Sequence, residues 1–352
     1  MNNRPMKKHS HQLGISLVEI LVSLVISLFL VGGIFQVYLG NKTSYNFTSA
    51  ISRIQENGRY AMDTMSQDLR MAGFFGCALF DPTDPSNIVN NLNPAGAGYD
   101  PDLHDFLLEG AISGTENDGL NGSDSVTLRG SKPNQVNVLP PYNVSSSANL
   151  HVTPNNHVVQ GDIVMVSNCR GADIFQITNI SNNLAAATNP AVHNTGNTTS
   201  PGNYNPDSCK GGAGAHCLSQ TYGAESSLFE LQSVTYSIAA GASGEPALWR
   251  SENGVNAELV EGIEQLQILY GIDTDDDDFP NQYVTITSAA VPDMLEVISL
   301  RIMLLARSDE DFISDENQKY TFNGADLTAG DRRLRQIFTT TIALRNRIGS
   351  GT

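Results

Sequence analysis

Asp273, Asp275 and Asp277 stand at alternate positions in the run Asp273-Thr274-Asp275-Asp276-Asp277-Asp278, the densest charge in the chain. Carboxylates at that spacing offer hard oxygens that can converge on one calcium ion. The rest of a standard calcium loop is missing: the sixth position is Asp278 where a glycine is required, and the twelfth is Val284 where a glutamate is required. The run therefore reads either as a solvated acidic turn or as a calcium site of another design, and no other cofactor is expected. Cys77, Cys169, Cys209 and Cys217 make an even number, which an exported chain would oxidise to two disulfides. Cys209 and Cys217 bracket the Gly-rich turn Lys210 to His216 and form the natural local pair, leaving Cys77 for Cys169 among the three connectivities that four cysteines allow. A zinc site at His216 lacks the usual C-x-x-C spacing. Arg332, Arg333 and Arg335 offer either a contact patch for an acidic partner or charges that pair with the chain's surplus acids.

Glu19 stands apart from all of these. Met1 to Gly14 holds Arg4, Lys7 and Lys8 and no acid, and in the apolar run Ile15 to Leu39 that follows, Glu19 is the only charged residue. As a helix this run covers about 37 Å, enough to cross a bilayer core of about 30 Å. The basic flank should stay cytoplasmic, with everything after Leu39 outside. The apolar run is too long for the core of a cleaved secretory signal, which spans about 7 to 15 residues. A plain anchor leaves a carboxylate in lipid, at about 2.5–3.5 kcal/mol for mid-helix and less near an end. Cleavage between Gly14 and Ile15 gives that carboxylate a role. Glu19 becomes the fifth residue of the mature chain, close enough to a new amine for the two to neutralise each other.

Neither composition nor motifs point to catalysis. No G-x-S-x-G, H-E-x-x-H, P-loop or dinucleotide fingerprint occurs, and the seven His are scattered. We expect no enzyme. A formal net charge of −17 lacks the basic footprint of a nucleic-acid-binding domain. With 40% hydrophobic residues, 31 Gly and 15 Pro, the chain can bury a core yet should be rich in turns.

The elements that must carry these residues follow from periodicity. Phe47, Ile51, Ile54, Ala61, Met65, Leu69 and Ala72 recur at helical spacing between charged residues. One helix is thus expected from Ile15 to about Ala72, first in lipid or a filament core (15–39), then as an amphipathic stem (40–73) stopped by Gly73. Met62, Met65 and Met71 read as core packing. Beyond it, 74–352 forms an exported body with strands at Val126–Leu128, Val158–Val166, Ile174–Ile180, Leu228–Ile238, Leu266–Ile272, Leu295–Ala306 and Ile337–Leu344. Ile298, Leu300, Ile302 and Leu304 share one face, as do Phe338, Thr340, Ile342 and Leu344. With no helices between the strands, the fold class is α+β: a long N-terminal helix on an antiparallel sheet. Residues 81–206, rich in Asn, Ser, Gly, Thr and Pro, read as a loop-rich insertion.

The run Gly14-Ile15-Ser16-Leu17-Val18-Glu19-Ile20-Leu21-Val22 resembles the class III signal of type IV prepilins and pseudopilins. That resemblance implies a 1–14 leader cut after Gly14 by prepilin peptidase, methylation of the new terminus at Ile15, and pairing of Glu19 with a neighbouring subunit's amine during assembly. Ile15 stands where the family usually has Phe. Gln55-Glu56-Asn57-Gly58-Arg59-Tyr60-Ala61, Asp68-Leu69-Arg70-Met71-Ala72-Gly73, Tyr270-Gly271-Ile272-Asp273-Thr274-Asp275, Val291-Pro292-Asp293 and Asp331-Arg332-Arg333-Leu334-Arg335-Gln336-Ile337-Phe338 through Ala343-Leu344-Arg345-Asn346-Arg347 resemble blocks of PilW-type minor pilins. The resemblance implies a pilin-like protein of the inner membrane with its body in the periplasm, later at the pilus tip. Its partners would be other minor pilins, the major pilin and a large tip adhesin, with twitching motility and cell adhesion as the outcome. A minor pseudopilin of type II secretion shares the signal and stem. An adhesive or DNA-capturing module would place its site in the 81–206 loops.

Overall fold

The computed structural model describes residues 16–76, 87–106, 110–142, 147–181, 183–195, 199–204, 218–275, 277–287 and 296–346. A single helix, α1 (Leu17–Met71, 55 residues), dominates the amino-terminal side and is about 82 Å long. Its first half is apolar on every side and exposed on every side. Hydroxyls in this half fold back on the helix: Ser23 Oγ donates to the Glu19 carbonyl at 2.5 Å and Ser27 Oγ to the Ser23 carbonyl at 2.7 Å. Those two hydroxyls are thereby satisfied within the helix and need no water. Gly73, at φ 75°, ends the helix, and its N–H donates to the Arg129 carbonyl in the body at 2.9 Å.

The body begins with β1 (Ile88–Asn90), the short α2 (Pro101–His104) and β2 (Ile112–Thr115). Then come β3 (Ser125–Asn137), β4 (Asn149–Val152), β5 (Ile163–Ser167), β6 (Ala172–Gln176), β7 (Asn179–Ile180), β8 (Asn189–Val192) and β9 (Ser227–Ala240). β9 is the spine of an eight-stranded sheet. β3 pairs along one side of it, while β5 and then β10 (Pro246–Glu252) share the other. β11 (Val255–Glu261) closes one end beyond β10, and β1, parallel to β6, closes the other. A four-stranded sheet runs β13 (Gln282–Val284), β12 (Ile263–Ile272), β14 (Val297–Arg307), β17 (Arg335–Ala343), all antiparallel. β4, β8 and β7 make a small sheet, and β15 (Lys319–Phe322) and β16 (Ala325–Thr328) a hairpin.

The α+β expectation holds, with a long helix on antiparallel-rich sheets, but among the described residues the strands fall into four sheets instead of one and include the parallel β1–β6 pair. The expected strands appear with shifted ends. Val158–Val166 narrows to β5, because Gly161 sits at φ 99° and Val159 and Asp162 close a turn. Residues 81–206, expected to be loop-rich, hold β1 to β8, and β3, β5 and β6 are integral to the main sheet.

The main core lies where α1 meets both large sheets. Ile54, Ala61, Met62, Met65, Leu69 and Ala72 of the helix join Val234 and Tyr236 of β9, Leu266 and Ile268 of β12, Leu300, Ile302 and Leu304 of β14, and Ile342 of β17. Each large side chain buried here contributes about 1.5–3 kcal/mol. Met62 and Met65 are buried in this core as expected. Phe47, expected in the stripe, is instead 42% exposed. Arg53 Nη1 lies 3.3 Å from Asp309 Oδ2 just past β14, and below it Tyr45, Asn46, Ser49 and Ala50 line a cleft with Arg307 to Glu310, while the helix before Tyr45 is exposed.

Candidate assembly stem and acidic loop

Glu19 lies in the first turn of α1, where a carboxylate faces the positive end of the helix dipole. Its N–H and that of Ile20 both donate to the Ser16 carbonyl, at 3.0 and 3.2 Å. Leu17 to Leu39 around and above it is exposed and apolar, and α1 is, by length and composition, a helix able to cross a membrane. Gly14 and Ile15 lie outside the described residues.

Four contacts set the angle and height of the stem on the body. Gly58 presses its backbone against the Phe338 ring of β17, so tightly that a β-carbon there would fall 2.2 Å from Phe338 Cε2. Asn57 Nδ2 donates to the Glu261 carbonyl at 3.1 Å, and near the helix end Asn346 Nδ2 donates to the carbonyls of Arg70 and Ala72 at 3.2 and 3.1 Å. Asp68 is the polar anchor. Its Oδ2 accepts from the Tyr236 hydroxyl at 2.6 Å and from Arg250 Nε at 2.8 Å. Arg250 Nη1 continues to Glu252 at 2.7 Å, Glu252 lies 3.0 Å from Lys132 Nζ, and Lys132 reaches Glu230 at 2.5 Å. Burial and the neighbouring Asp68 carboxylate both push the Tyr236 phenol well above its ordinary range. Burial opposes the charge on Arg250, but its bonds to Asp68 and Glu252 outweigh that and raise it. The same Arg250 holds the Glu252 carboxyl below its usual range.

The arginine cluster pairs inward. Arg335 is buried and forks onto two carboxylates: Nε and Nη2 donate to Glu264 at 2.7 and 3.1 Å, and Nη1 and Nη2 to Asp331 at 2.6 and 3.1 Å. Bidentate pairing of this kind is the strong form of the contact. It holds the Asp331 carboxyl below its ordinary range. Arg333 Nη2 lies 3.0 Å from Glu245, and the Arg332 guanidinium lies over the Phe312 ring at 5.1 Å. Of the two sequence readings of this trio, pairing with surplus acids is the one that Arg333 and Arg335 follow.

The acidic run closes a loop after β12. Ligand oxygens of Asp273, Asp275 and Asp277 lie within 4.8 Å of one another, so these three residues could hold a divalent cation. The buried Asp273 carboxylate is also the loop's own fastener. It accepts from the N–H groups of Asp275 at 3.3 Å, Asp277 at 3.4 Å and Asp278 at 2.8 Å. Asn281 pins the other arm, donating to Asp275 Oδ1 at 3.1 Å and accepting from the Thr274 N–H at 2.6 Å.

Comparison with known families bears on the sheet that carries the stem. The family model for PilW, type IV pilus-assembly protein W, matches residues 235–346. That match supports a PilW-family type IV pilus protein. No curated protein and no solved structure matches the chain. The matched block runs from within β9 to just past β17. It contains Tyr236, Arg250, Phe338 and Asn346, the partners of the stem helix, as well as the acidic loop and the Arg335 fork.

Sequence reading missed most of this joint. Gly58 and Asp68 fell within quoted family blocks but gained no role, because their partners lie far away in sequence. A glycine inside a helical stripe is itself a signal of close packing. Of the cysteines, Cys169 is disulfide-bonded, while Cys77, Cys209 and Cys217 lie outside the described residues.

Proposed function

We propose that this PilW-family chain is a minor pilin that primes type IV pilus assembly and takes a place in the tip complex beside other minor pilins, the major pilin and a tip adhesin. The observation that carries the reading is the pairing of an exposed, all-apolar half-helix with a body whose PilW-matched sheet grips the other half. A rod that is apolar on all sides is stable only in lipid or among similar helices. A filament core offers the second environment when the subunit leaves the first. In this scheme prepilin peptidase cuts after Gly14, Ile15 becomes the methylated terminus, and Glu19 neutralises a neighbour's amine inside the apolar bundle. The body faces the periplasm until assembly carries it to the fibre tip. Cys77–Cys169 and Cys209–Cys217 are the pairing we assign to the cysteines. Asp273, Asp275 and Asp277 are the residues that would hold calcium.

The test is to shear pili and membranes from cells making the wild type and Glu19→Ala, then sequence the amino terminus of the recovered protein. The expected result is a chain beginning at Ile15 in both, present in pili for the wild type and retained in the membrane for Glu19→Ala. A wild-type chain that keeps residues 1–14, or a Glu19→Ala chain found in pili at the normal level, sinks the proposal. Loss of secretion with normal twitching on deletion would assign the chain to a secretion system instead.

A further inference from the structure

Natural sheets blunt their edges with short strands, charges, prolines or bulges, because an open row of N–H and C=O groups invites another strand. Most edges here follow that rule. β1 and β13 have three residues each. β11 carries Glu258 and Glu261, and its pairing with β10 shifts register at Leu248/Trp249. β17 breaks the rule. It has nine residues, holds register with β14 without a shift from Arg335 to Ala343, and after Arg335 has no charge, proline or glycine.

Register shows which of its groups are open. The Leu344 N–H donates to the Ile298 carbonyl, and the Ser308 N–H to the Leu334 carbonyl, so even-numbered residues of β17 bond to β14 and odd-numbered ones point away. At Arg335 the outward pair is already taken: its N–H donates to Gln318 Oε1 at 2.7 Å, and its carbonyl accepts from Gln318 Nε2 at 2.9 Å. One side-chain amide thus makes the two bonds that a neighbouring strand would make. At Ile337, Thr339, Thr341 and Ala343 no backbone partner on that side occurs among the described residues, and Thr339, Thr341 and Ala343 are exposed.

We propose that the free edge of β17, from Ile337 to Ala343, docks an extended, uncharged strand of a different exported subunit, which extends the four-stranded sheet by continuing the pairing that Gln318 begins. A neutral strip on a chain of net charge −17 fits a neutral strand. A second copy of this chain does not fit. β17 runs in the same sense as α1, since Phe338 abuts Gly58 and Asn346 reaches Arg70 and Ala72. Antiparallel pairing of two β17 edges would turn one stem end for end, and both apolar halves could not enter one membrane from the same side. That the partner is a pilus subunit rests on the function proposed above; the open edge itself does not.

Thr339→Pro is the discriminating variant. Its N–H points outward, so proline removes an edge donor and blocks approach without removing a bond to β14. Thr339→Lys with Thr341→Lys keeps the backbone and adds edge charges, and serves if the proline variant melts below the wild type. Full-length protein in detergent is titrated with a synthetic eight-residue Thr-Val alternating peptide, and with the same peptide N-methylated at alternate residues. Amide exchange at Ile337, Thr339 and Thr341 should slow by about tenfold or more with the plain peptide and not with the methylated one. In cells, the folded variants should be membrane-inserted yet absent from sheared pili. No protection by the plain peptide, or a variant recovered in pili at the wild-type level, overturns the edge proposal. Wild type missing from pili while the peptide still protects the edge overturns the pilin reading and leaves the edge standing.

Discussion

Replacing Gly58 with alanine tests whether the stem is held on the body by steric fit. The new β-carbon would lie 2.2, 2.4 and 2.6 Å from Cε2, Cζ and Cδ2 of Phe338, where ordinary contact begins at 3.4 Å. Ring or helix must therefore move by about 1 Å, and overpacking of this kind costs about 1–3 kcal/mol. Alanine returns about 0.5–1 kcal/mol of helix propensity. Phe338 is only half-buried and can swing partly aside, so the net expectation is about 1–2 kcal/mol of destabilisation, a fall in Tm of about 2–6 °C. The assay is thermal and urea unfolding of full-length protein in detergent, for Gly58→Ala, Phe338→Ala and the pair. With the ring gone, Gly58→Ala should become neutral or slightly stabilising, a coupling of about 1–3 kcal/mol. Gly32→Ala is the internal control, because nothing lies within 4 Å of a β-carbon there. A Gly58→Ala chain as stable as the wild type, or equally destabilised with and without the Phe338 ring, would refute the reasoning.

Asp68→Ala should destabilise the stem–body joint by about 1–3 kcal/mol, since it strips the buried Tyr236 hydroxyl and Arg250 of a shared acceptor; the cost should shrink in a Tyr236→Phe background. Acid unfolding should have two opposing parts. The Arg335 bonds depress the folded-state pKa of Asp331, so its stabilisation is present above about pH 4 and is lost as pH falls through the depressed value; Asp331→Asn should flatten that limb. Burial raises Asp173 in the folded state, despite its bonds from Tyr222, Ser219 and Asn91. Its contribution is therefore full below about pH 4 and lost as pH rises, and Asp173→Asn should remove that slope. For the acidic loop, Asp273→Ala should speed amide exchange at Asp275, Asp277 and Asp278, which lose their common acceptor. Millimolar calcium should raise Tm and chelator lower it if the three carboxylates hold the ion; an unchanged Tm assigns the loop to a turn that Asp273 closes alone.

Much of the architecture was legible because it is written locally. The helix ends within two residues of the positions that apolar spacing and Gly73 marked, and the alternation in β14 and β17 marked their buried faces. Two hairpins went unread although their signal was present. Asn253-Gly254 and Asn323-Gly324 each join strands through two residues at positive φ, the backbone that turns two antiparallel strands tightly. The short strands β4, β7 and β8 carry no such signal, and β8 contains Pro190, so their pairing is decided by burial against the rest of the body.

The division between sequence and tertiary structure follows the range of the forces. Sequence by itself determined the apolar rod, the lone Glu19 within it, the stop at Gly73 and the acid-rich run at 273–278, since each depends on residues within a few turns of one another. Only the folded chain decided that Gly58 meets Phe338, that Asp68 meets Tyr236 and Arg250, that Arg333 and Arg335 turn inward, and that the outer edge of β17 has no strand beside it among the described residues. Those outcomes depend on which strands lie side by side, and strand order is set by long-range burial that no local window contains.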